Sequence, residues 1–293
     1  MSNERWIDET LHATEGFVTS YRADKVLYEE TTSEQNLVIF ENAYFGRMMA
    51  LDGATQVTER DEFIYHEMMT HVPVLAHGAV RRVLIIGGGD GGIAREALRH
   101  ASIEHVTMVE IDPAVTEFCA AQLPSISNGA FDDPRLELVF ADGAKFVHAC
   151  ADQFDVIIVD STDPVGPGEV LFHEEFYRGA KSRLAPGGVL VTQNGVPFMQ
   201  ASELIGTMEK FGRLFAVATC YMATIPTYVG GPMAMGWGSD NHKLTAVTID
   251  QLKERFRAAN FKTRYYTPDV HLASFALPKY VLDRFPPKKG EAE

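Results

Sequence analysis

The stretch Val83-Leu84-Ile85-Ile86-Gly87-Gly88-Gly89-Asp90-Gly91-Gly92 decides the fold. Its four apolar residues, mostly β-branched, are typical of a strand buried on both faces in a parallel sheet. The glycines allow a sharp turn and a close approach of backbone to ligand. A helix is predicted from about 93 to 99, and the next strand, 106–109, ends at Glu110. That acid lies about 20 residues past the turn, where nucleoside-binding folds place the group that binds ribose hydroxyls. The series predicts a nucleoside-binding α/β domain, with a purely structural glycine turn as the alternative.

Composition limits the class of protein. The chain has 293 residues, 46% of them hydrophobic, and a net charge of -14. That charge argues against a nucleic-acid partner and favours a cationic substrate, although it also serves solubility. No apolar run approaches the ~18 residues of a membrane helix, and the N-terminus does not resemble a signal peptide. Three widely spaced cysteines form no disulfide framework. We therefore expect a cytoplasmic protein without a membrane partner.

The chain before the glycine turn has a different pattern. Short β-like runs at 25–29, 36–40 and 46–51 are followed by Asp52-Gly53, a strong hairpin signal. They predict a small antiparallel β-sheet domain over residues 1–57, packed on the larger domain or on a partner subunit. A linking helix is predicted over 58–77, with Thr58 as its cap and Asp61 as the reciprocal residue. The Rossmann-like catalytic domain is then expected to cover 58–293.

After the turn, strands and helices alternate, as in a doubly wound sheet. Strands are predicted at 136–140, 156–159 and 189–193, and a late strand pair at 219–225 and 233–238. A helix from 172 to 184 is expected to end at Pro186-Gly187-Gly188. Capped helices are predicted to begin after Asp112, with Pro113 in the first turn, and after Thr248, with Gln251 as reciprocal partner.

Acidic residues follow the predicted strands repeatedly. Ligands of an open parallel sheet bind beyond the carboxyl ends of its strands, where this chain places Asp90, Glu110, Asp142 and Asp160. Each could instead be a helix cap or a solvated turn residue. Because the glycine turn holds no Lys or Arg and lacks a P-loop ending, the site is expected to be anionic. It suits a cationic nucleoside better than a pyrophosphate cofactor.

Two further stretches contain residue types that can carry chemistry. His66 and His71 resemble a zinc-protease helix, but the motif needs histidines at i and i+4. Five residues place them about 140° apart on a helix, so no metal site is expected. The loop 160–169 contains Asp160 and Asp163, two carboxylates three residues apart that could hold an amine or act as a base. The alternative is a turn with Asp caps.

Three long motifs in this chain carry a family resemblance. They are 87–92, 160–167, and 51–68, the last running from Leu51-Asp52-Gly53 to Tyr65-His66-Glu67-Met68. Together they resemble the polyamine aminopropyltransferases, and within that family the bacterial spermidine synthases, over nearly the whole chain. The resemblance implies a methyltransferase-like Rossmann fold, a mostly parallel sheet with helices on both faces, preceded by the N-terminal β-sheet domain. It also implies a homodimer or homotetramer.

The resemblance implies a reaction and its residues. An aminopropyl group would pass from decarboxylated S-adenosylmethionine, a co-substrate, to putrescine, giving spermidine and 5'-methylthioadenosine without a cofactor. Asp160 would be the base. The nucleoside donor would be held by residues matched by motif: Gln35, Asp90, Glu110, Asp142, Gly143 and Pro167. The amine would be held by Tyr65, His66, Asp90, Asp160, Ser161, Thr162, Asp163 and Tyr228. His66 stands where some family members carry Gln, and a plain structural histidine is its alternative.

The sequence is also compatible with other acceptors and with two other classes of protein. The acceptor could be cadaverine, agmatine or spermidine, because the sequence does not give the length of an amine channel. An S-adenosylmethionine methyltransferase would share the Rossmann part, but the N-terminal sheet and the Asp160 loop argue against it. A non-catalytic nucleoside- or polyamine-binding protein would bind product without turnover, and Asp160 together with Tyr228 argues against it.

Overall fold

The structure is a computed structural model that describes residues 4–164 and 166–285. Its strands are β1 (Arg5–Glu9), β2 (Thr19–Ala23), β3 (Lys25–Thr31), β4 (Asn36–Asn42), β5 (Gly46–Leu51), β6 (Ala54–Thr58), β7 (Arg82–Gly87), β8 (His105–Glu110), β9 (Leu136–Phe140), β10 (Phe154–Asp160), β11 (Leu184–Gln193), β12 (Val217–Ala223) and β13 (Met233–Ser239). Its α-helices are α1 (Glu62–His77), α2 (Gly92–Leu98), α3 (Pro113–Gln122), α4 (Pro124–Ser127), α5 (Gly143–Ala149), α6 (Glu174–Ser182), α7 (Ala201–Leu214), α8 (Ile249–Ala259), α9 (Pro268–Ser274) and α10 (Lys279–Leu282). Short 3-10 helices cover Ala13–Glu15, Ala130–Asp132 and Gly166–Phe172.

The large sheet confirms the predicted methyltransferase-like Rossmann fold. Its seven strands run in the order β12-β13-β11-β10-β7-β8-β9. The five strands from β11 to β9 pair in parallel, and β13 and β12 add an antiparallel edge. The strand that precedes the glycine turn, β7, lies between β10 and β8, and residues 83–85 are completely buried. Apolar side chains pack on both faces of the sheet, which explains the unbroken apolar run in the sequence.

The N-terminal part confirms the predicted small antiparallel sheet, with one addition. Strands β3 to β6 form a four-stranded meander, while β1 and β2 form a separate two-stranded sheet. Asp52 and Gly53, both with positive φ, form the tight turn between β5 and β6. One face of the meander packs against α3, where Met49 contacts the buried Cys119. The sheet therefore shares a core with the larger domain, as a sheet this small requires.

Two local predictions were wrong. Thr58 does not cap a helix, because it ends strand β6 and its hydroxyl donates to the Asp61 carboxylate at 2.6 Å, one turn before α1 begins at Glu62. The helix expected from 172 to 184 is α6 alone, ending at Ser182. The 186–188 segment lies inside β11, where the pairing register with β10 shifts between Phe154 and Val156. Proline and glycine are tolerated there because the ladder is locally interrupted.

The predicted caps of later helices were confirmed. Asp112 accepts a hydrogen bond from the Ala114 N–H and precedes Pro113 in the first turn of α3. Thr248 and Gln251 form the reciprocal capping box of α8. In the described part of the chain, no helix is both long and apolar enough to cross a membrane.

Candidate active site

A cavity opens at the carboxyl ends of β7, β8 and β10 and is closed on its other side by the N-terminal sheets. It brings together nearly every site residue predicted from the sequence: Gln35, Tyr65, His66, Asp90, Glu110, Asp142, Gly143, Asp160, Ser161, Thr162, Asp163 and Tyr228. The side chain of Pro167 lies outside the described part of the structure. The edge where ligands of parallel sheets bind is therefore rich in carboxylates.

The glycine turn brings the ends of β7 and β10 together. Gly87 has φ +83°, and a Cβ on it would lie 2.1 Å from the Asp160 carbonyl oxygen. Gly88 donates its N–H to the same oxygen at 3.1 Å. A side chain at position 87 would push the strands apart, so glycine is required there for steric and backbone reasons. The close approach sets Asp160 at the base of the cavity.

Asp160 is held by a tyrosine from α1. The Tyr65 hydroxyl donates to Asp160 Oδ1 at 2.6 Å. Burial, followed by the nearby Asp90 charge, raises the pKa of Asp160 to about 6, although His66 and the Tyr65 bond oppose the rise. The Tyr65 ring also stands edge-on to Tyr228, with ring centroids 6.0 Å apart. A carboxylate with this pKa is ionised at neutral pH yet accepts a proton more readily than an ordinary Asp.

His66 lies between two carboxylates. Its Nδ1 is 2.6 Å from Glu62 Oε2, and its Nε2 is 3.4 Å from Asp90 Oδ2. Burial alone would lower the pKa of His66, but Asp90 and Glu62 reverse that effect and raise it to about 10. The imidazolium in turn lowers the pKa of Asp90, against the effect of burial. His66 is therefore a buried cation among the acids of the site.

His66 and His71, both on α1, contact different groups. His71 Nδ1 is 3.0 Å from His100 Nε2, and His71 Nε2 is 3.0 Å from Glu96. No cluster of three or more His, Cys, Asp or Glu side chains has metal-binding geometry in residues 4–164 and 166–285.

Glu110 and Gln35 line the side of the cavity beyond β8. Burial raises the pKa of Glu110 to about 7, although its Oε1 accepts the Asp112 N–H at 2.9 Å. A Cβ on Gly89 would lie 2.9 Å from Glu110 Oε2, so the turn leaves room for this carboxylate. Gln35 donates to Asp112 Oδ2 at 3.3 Å, which fixes the residue from the N-terminal meander against the βα loop. Glu110 and Gln35 thus present a carboxylate and an amide to the same side of the cavity.

Asp142 and Gly143 form the neighbouring wall. The Asp142 side chain caps α5 by accepting from the Ala144 and Lys145 N–H groups. A Cβ on Gly143 would lie 2.5 Å from Ile86 Cγ2, so the helix start packs directly on β7. The prediction that acids at strand ends could be helix caps is thus true of Asp142, although it also lines the cavity.

The far end of the cavity contains groups that the sequence analysis missed. Gln200 donates to Asp163 Oδ1 at 2.6 Å, and Glu203 lies directly behind it. Gln193, at the end of β11, also lines the cavity. Glu62 was missed as the partner of His66, although its i−4 spacing on a helix was a usable signal. Gln200 and Glu203 are three residues apart on or beside α7, but nothing local indicates that this helix end faces the site.

The chain matches known proteins over nearly its whole length. The model of the spermine/spermidine synthase domain matches residues 62–250, and that of the spermidine synthase tetramerisation domain matches 5–59. A polyamine aminopropyltransferase from a Ruegeria species is 59% identical over 286 residues, covering 98% of this chain and 100% of that protein. Polyamine aminopropyltransferase 1 of Pseudomonas aeruginosa is 56% identical over 274 residues, covering 94% and 95%.

Solved structures of spermidine synthases are similar to this chain over nearly its whole length. A spermidine synthase in complex with the transition-state analogue AdoDATO superposes with a TM-score of 0.89 at 37% identity, covering 97% of this chain and 95% of that one. Spermidine synthase from Thermotoga maritima gives 0.88 at 35% identity, covering 97% and 94%. The chain therefore belongs to the spermine/spermidine synthase family, the polyamine aminopropyltransferases.

Proposed function

We propose that this enzyme transfers the aminopropyl group of decarboxylated S-adenosylmethionine to putrescine, releasing spermidine and 5'-methylthioadenosine. The observation that carries the proposal is Asp160, bonded to Tyr65 and lining one cavity together with Glu110 and Asp163. A nucleoside on one side and an amine on the other would meet there. The relative solved in complex with the transition-state analogue AdoDATO is a spermidine synthase, which supports the same class of reaction.

The difficult step is to make a nucleophile from an ammonium ion. A free alkylammonium has a pKa near ~10.4, so putrescine reaches the site protonated at both ends. Asp160 accepts one proton, and the freed nitrogen lone pair attacks the carbon next to the sulfonium. The new C–N bond forms as the C–S bond breaks, and its electron pair neutralises the sulfur. Since the leaving group is a neutral thioether, no general acid is needed, and holding the partners in line supplies much of the rate.

Other residues would bind and orient the two substrates. Glu110 is proposed to accept the ribose hydroxyls, with Gln35 beside it. Asp142, Gly143 and Pro167 would enclose the adenine. Asp90 would hold the aminopropyl ammonium of the donor. The amine channel is proposed to run past Tyr65, His66 and Tyr228 to the loop Ser161-Thr162-Asp163.

We also propose that the reaction needs no cofactor, since the sulfonium already carries the driving force for the C–S cleavage.

We expect the enzyme to be a homodimer or homotetramer. The match of residues 5–59 to a tetramerisation domain supports an oligomer, as do the apolar side chains of Trp6, Phe17 and Val18, each at least 40% exposed. Light scattering coupled to gel filtration measures the mass directly, and a monomer at micromolar concentration would contradict this.

Product identification tests the proposed function. Purified enzyme is supplied with decarboxylated S-adenosylmethionine and, separately, putrescine, cadaverine, agmatine or spermidine, and the products are identified by mass spectrometry. We expect spermidine and methylthioadenosine in equal amounts, with putrescine the best acceptor by kcat/KM. Higher kcat/KM for another amine would change the acceptor but keep the chemistry. Methylated product from S-adenosylmethionine, with no aminopropyl transfer, would contradict the proposal.

A further inference from the structure

The far end of the cavity contains an amide that bridges two carboxylates. Gln200 Nε2 donates to Asp163 Oδ1 at 2.6 Å and to Glu203 Oε1 at 2.9 Å. The Gln200 Oε1 accepts the Val196 N–H at 3.0 Å, which fixes the direction of the amide. Both amide protons are therefore used, and each carboxylate keeps one oxygen that the amide does not satisfy.

The second oxygen of Glu203 is buried without a partner. Glu203 Oε2 has no hydrogen-bond partner among the described residues. It lies against Gly195, which lines the cavity, and a Cβ on that glycine would be 2.8 Å from the oxygen. Gly195 has φ +59°, so its conformation also disfavours a side chain. Gly195 therefore leaves room beside the cavity wall for both the Gln200 amide and the Glu203 carboxylate.

The groups that face Asp163 and Glu203 at this end of the cavity are mostly acidic or neutral. Burial, and then the charge of Asp163, raises the pKa of Glu203 to about 8. Burial likewise raises the pKa of Asp163, which faces Glu9 and His12 from the N-terminal segment. Glu203 also faces the Tyr177 hydroxyl from α6, which is not a cation. Of these facing groups, His12 is the one basic side chain. Two carboxylates this close share a site more easily when a cation enters it.

We propose that Glu203, acting through Gln200 and together with Asp163, is a specificity-determining residue that recognises the far ammonium of a diamine acceptor. The inference rests on the proposed function and adds to it a residue outside the predicted amine site. When the ammonium binds, Glu203 ionises and releases its proton, which leaves the subsite with a carboxylate pair around one added positive charge. An acceptor with an uncharged far end gains nothing from this arrangement.

The test compares Glu203→Gln with a matched control, Glu209→Gln, on the exposed side of the same helix. Kinetics with putrescine should show KM raised about 10-fold in the Glu203 variant with kcat changed much less. That factor is the lower end of the weakening expected when a charge-assisted contact is lost.

Calorimetry of putrescine binding to the methylthioadenosine complex at pH 7, in two buffers of different ionisation enthalpy, counts the protons released. The Glu203 variant should release fewer protons than wild type, and the control should match wild type.

A structural role for Glu203 would not change the proton count. Glu203→Asp, which keeps the charge, should restore the proton release. If Glu203→Gln matches Glu209→Gln in both KM and proton release, the inference is wrong. If Glu203→Gln unfolds, the pH dependence of proton release in wild type and Glu203→Asp still tests the inference. Proton release should fall in both proteins when the pH is raised past 8, because the carboxyl group is then already ionised. Proton release that does not fall in either protein would overturn the assignment. Failure of the proposed function is distinct, since wild type would then not convert putrescine at all.

Discussion

The Tyr65 hydroxyl donates a 2.6 Å hydrogen bond to Asp160 Oδ1, joining residues 95 positions apart in the sequence. Tyr65 is on helix α1 and Asp160 ends strand β10, so the bond depends on the packing of that helix on the sheet. A phenol that donates to a carboxylate stabilises its ionised form. The Tyr65 bond therefore helps to keep Asp160 ionised at neutral pH.

Removal of that bond should shift the pH profile. In Tyr65→Phe, Asp160 loses a donor that lowers its pKa, so the acid limb of kcat/KM should move upward from about 6. A charge-assisted bond is worth roughly 1.5–3 kcal/mol, which corresponds to a shift of about one pH unit or more. Steady-state kinetics between pH 5 and 9 measures the limb. The exposed Tyr44→Phe serves as the control, and an unmoved limb in Tyr65→Phe would show that the bond does not tune Asp160.

The ionised His66 should stabilise the fold over a defined pH window. Its pKa rises from 6.5 to about 10 in the folded protein, so its stabilisation is complete below 6.5 and is lost as pH rises through 10. His66→Gln should therefore lower Tm by several degrees near pH 6.5, and the difference from wild type should shrink toward pH 10. Calorimetric scans at a series of pH values check this. A difference that stays constant across the series would mean that His66 is not the titrating group.

Glu110 should affect ligand binding and stability in opposite directions. Glu110→Gln loses the charge-assisted bonds to ribose hydroxyls, worth roughly 1.5–3 kcal/mol, so methylthioadenosine should bind about 10- to 150-fold more weakly. The raised pKa of Glu110, about 7, means that its ionisation destabilises the fold above pH 4.5 and does so fully above 7. The variant should therefore gain in Tm over wild type at pH 8 but not at pH 4.5. Titration calorimetry and thermal scans test both, and unchanged affinity would remove Glu110 from the nucleoside site.

Much of the fold follows from local patterns. The apolar run before Gly87 predicted a central strand, because both faces of β7 are buried. The Asp52-Gly53 turn and the caps at Asp112 and Thr248 depend on neighbouring residues alone, so short-range chemistry was sufficient. The false cap at Thr58 shows the limit: its hydroxyl does bond Asp61, but strand pairing of β6 with β5 decides where the helix starts.

The candidate site likewise has features that the sequence predicts and features that depend on tertiary packing. Carboxylates at strand ends were predictable because topology places the ends of parallel strands at one edge. The interactions that tune them were not, since His66 acquires its charge from Glu62 and Asp90 on different elements. Gln200 and Glu203 were missed because α7 reaches the cavity only through tertiary packing. Pattern therefore locates the acids, whereas the folded geometry determines their protonation.

The most direct test of the central claim, that Asp160 deprotonates the acceptor amine, is the pH dependence of kcat/KM in wild type and Asp160→Asn. With the base present, activity should fall below about pH 6 and should not rise tenfold per pH unit above it. Loss of a general base typically costs about 10²–10⁴-fold, so the variant should be slower by that factor at pH 7. Its residual activity should rise about tenfold per pH unit toward the ~10.4 of the free amine, because it can use only amine already neutral. A variant with the wild-type profile, or with weakened methylthioadenosine binding and unchanged kcat, would contradict the assignment of Asp160 as the base.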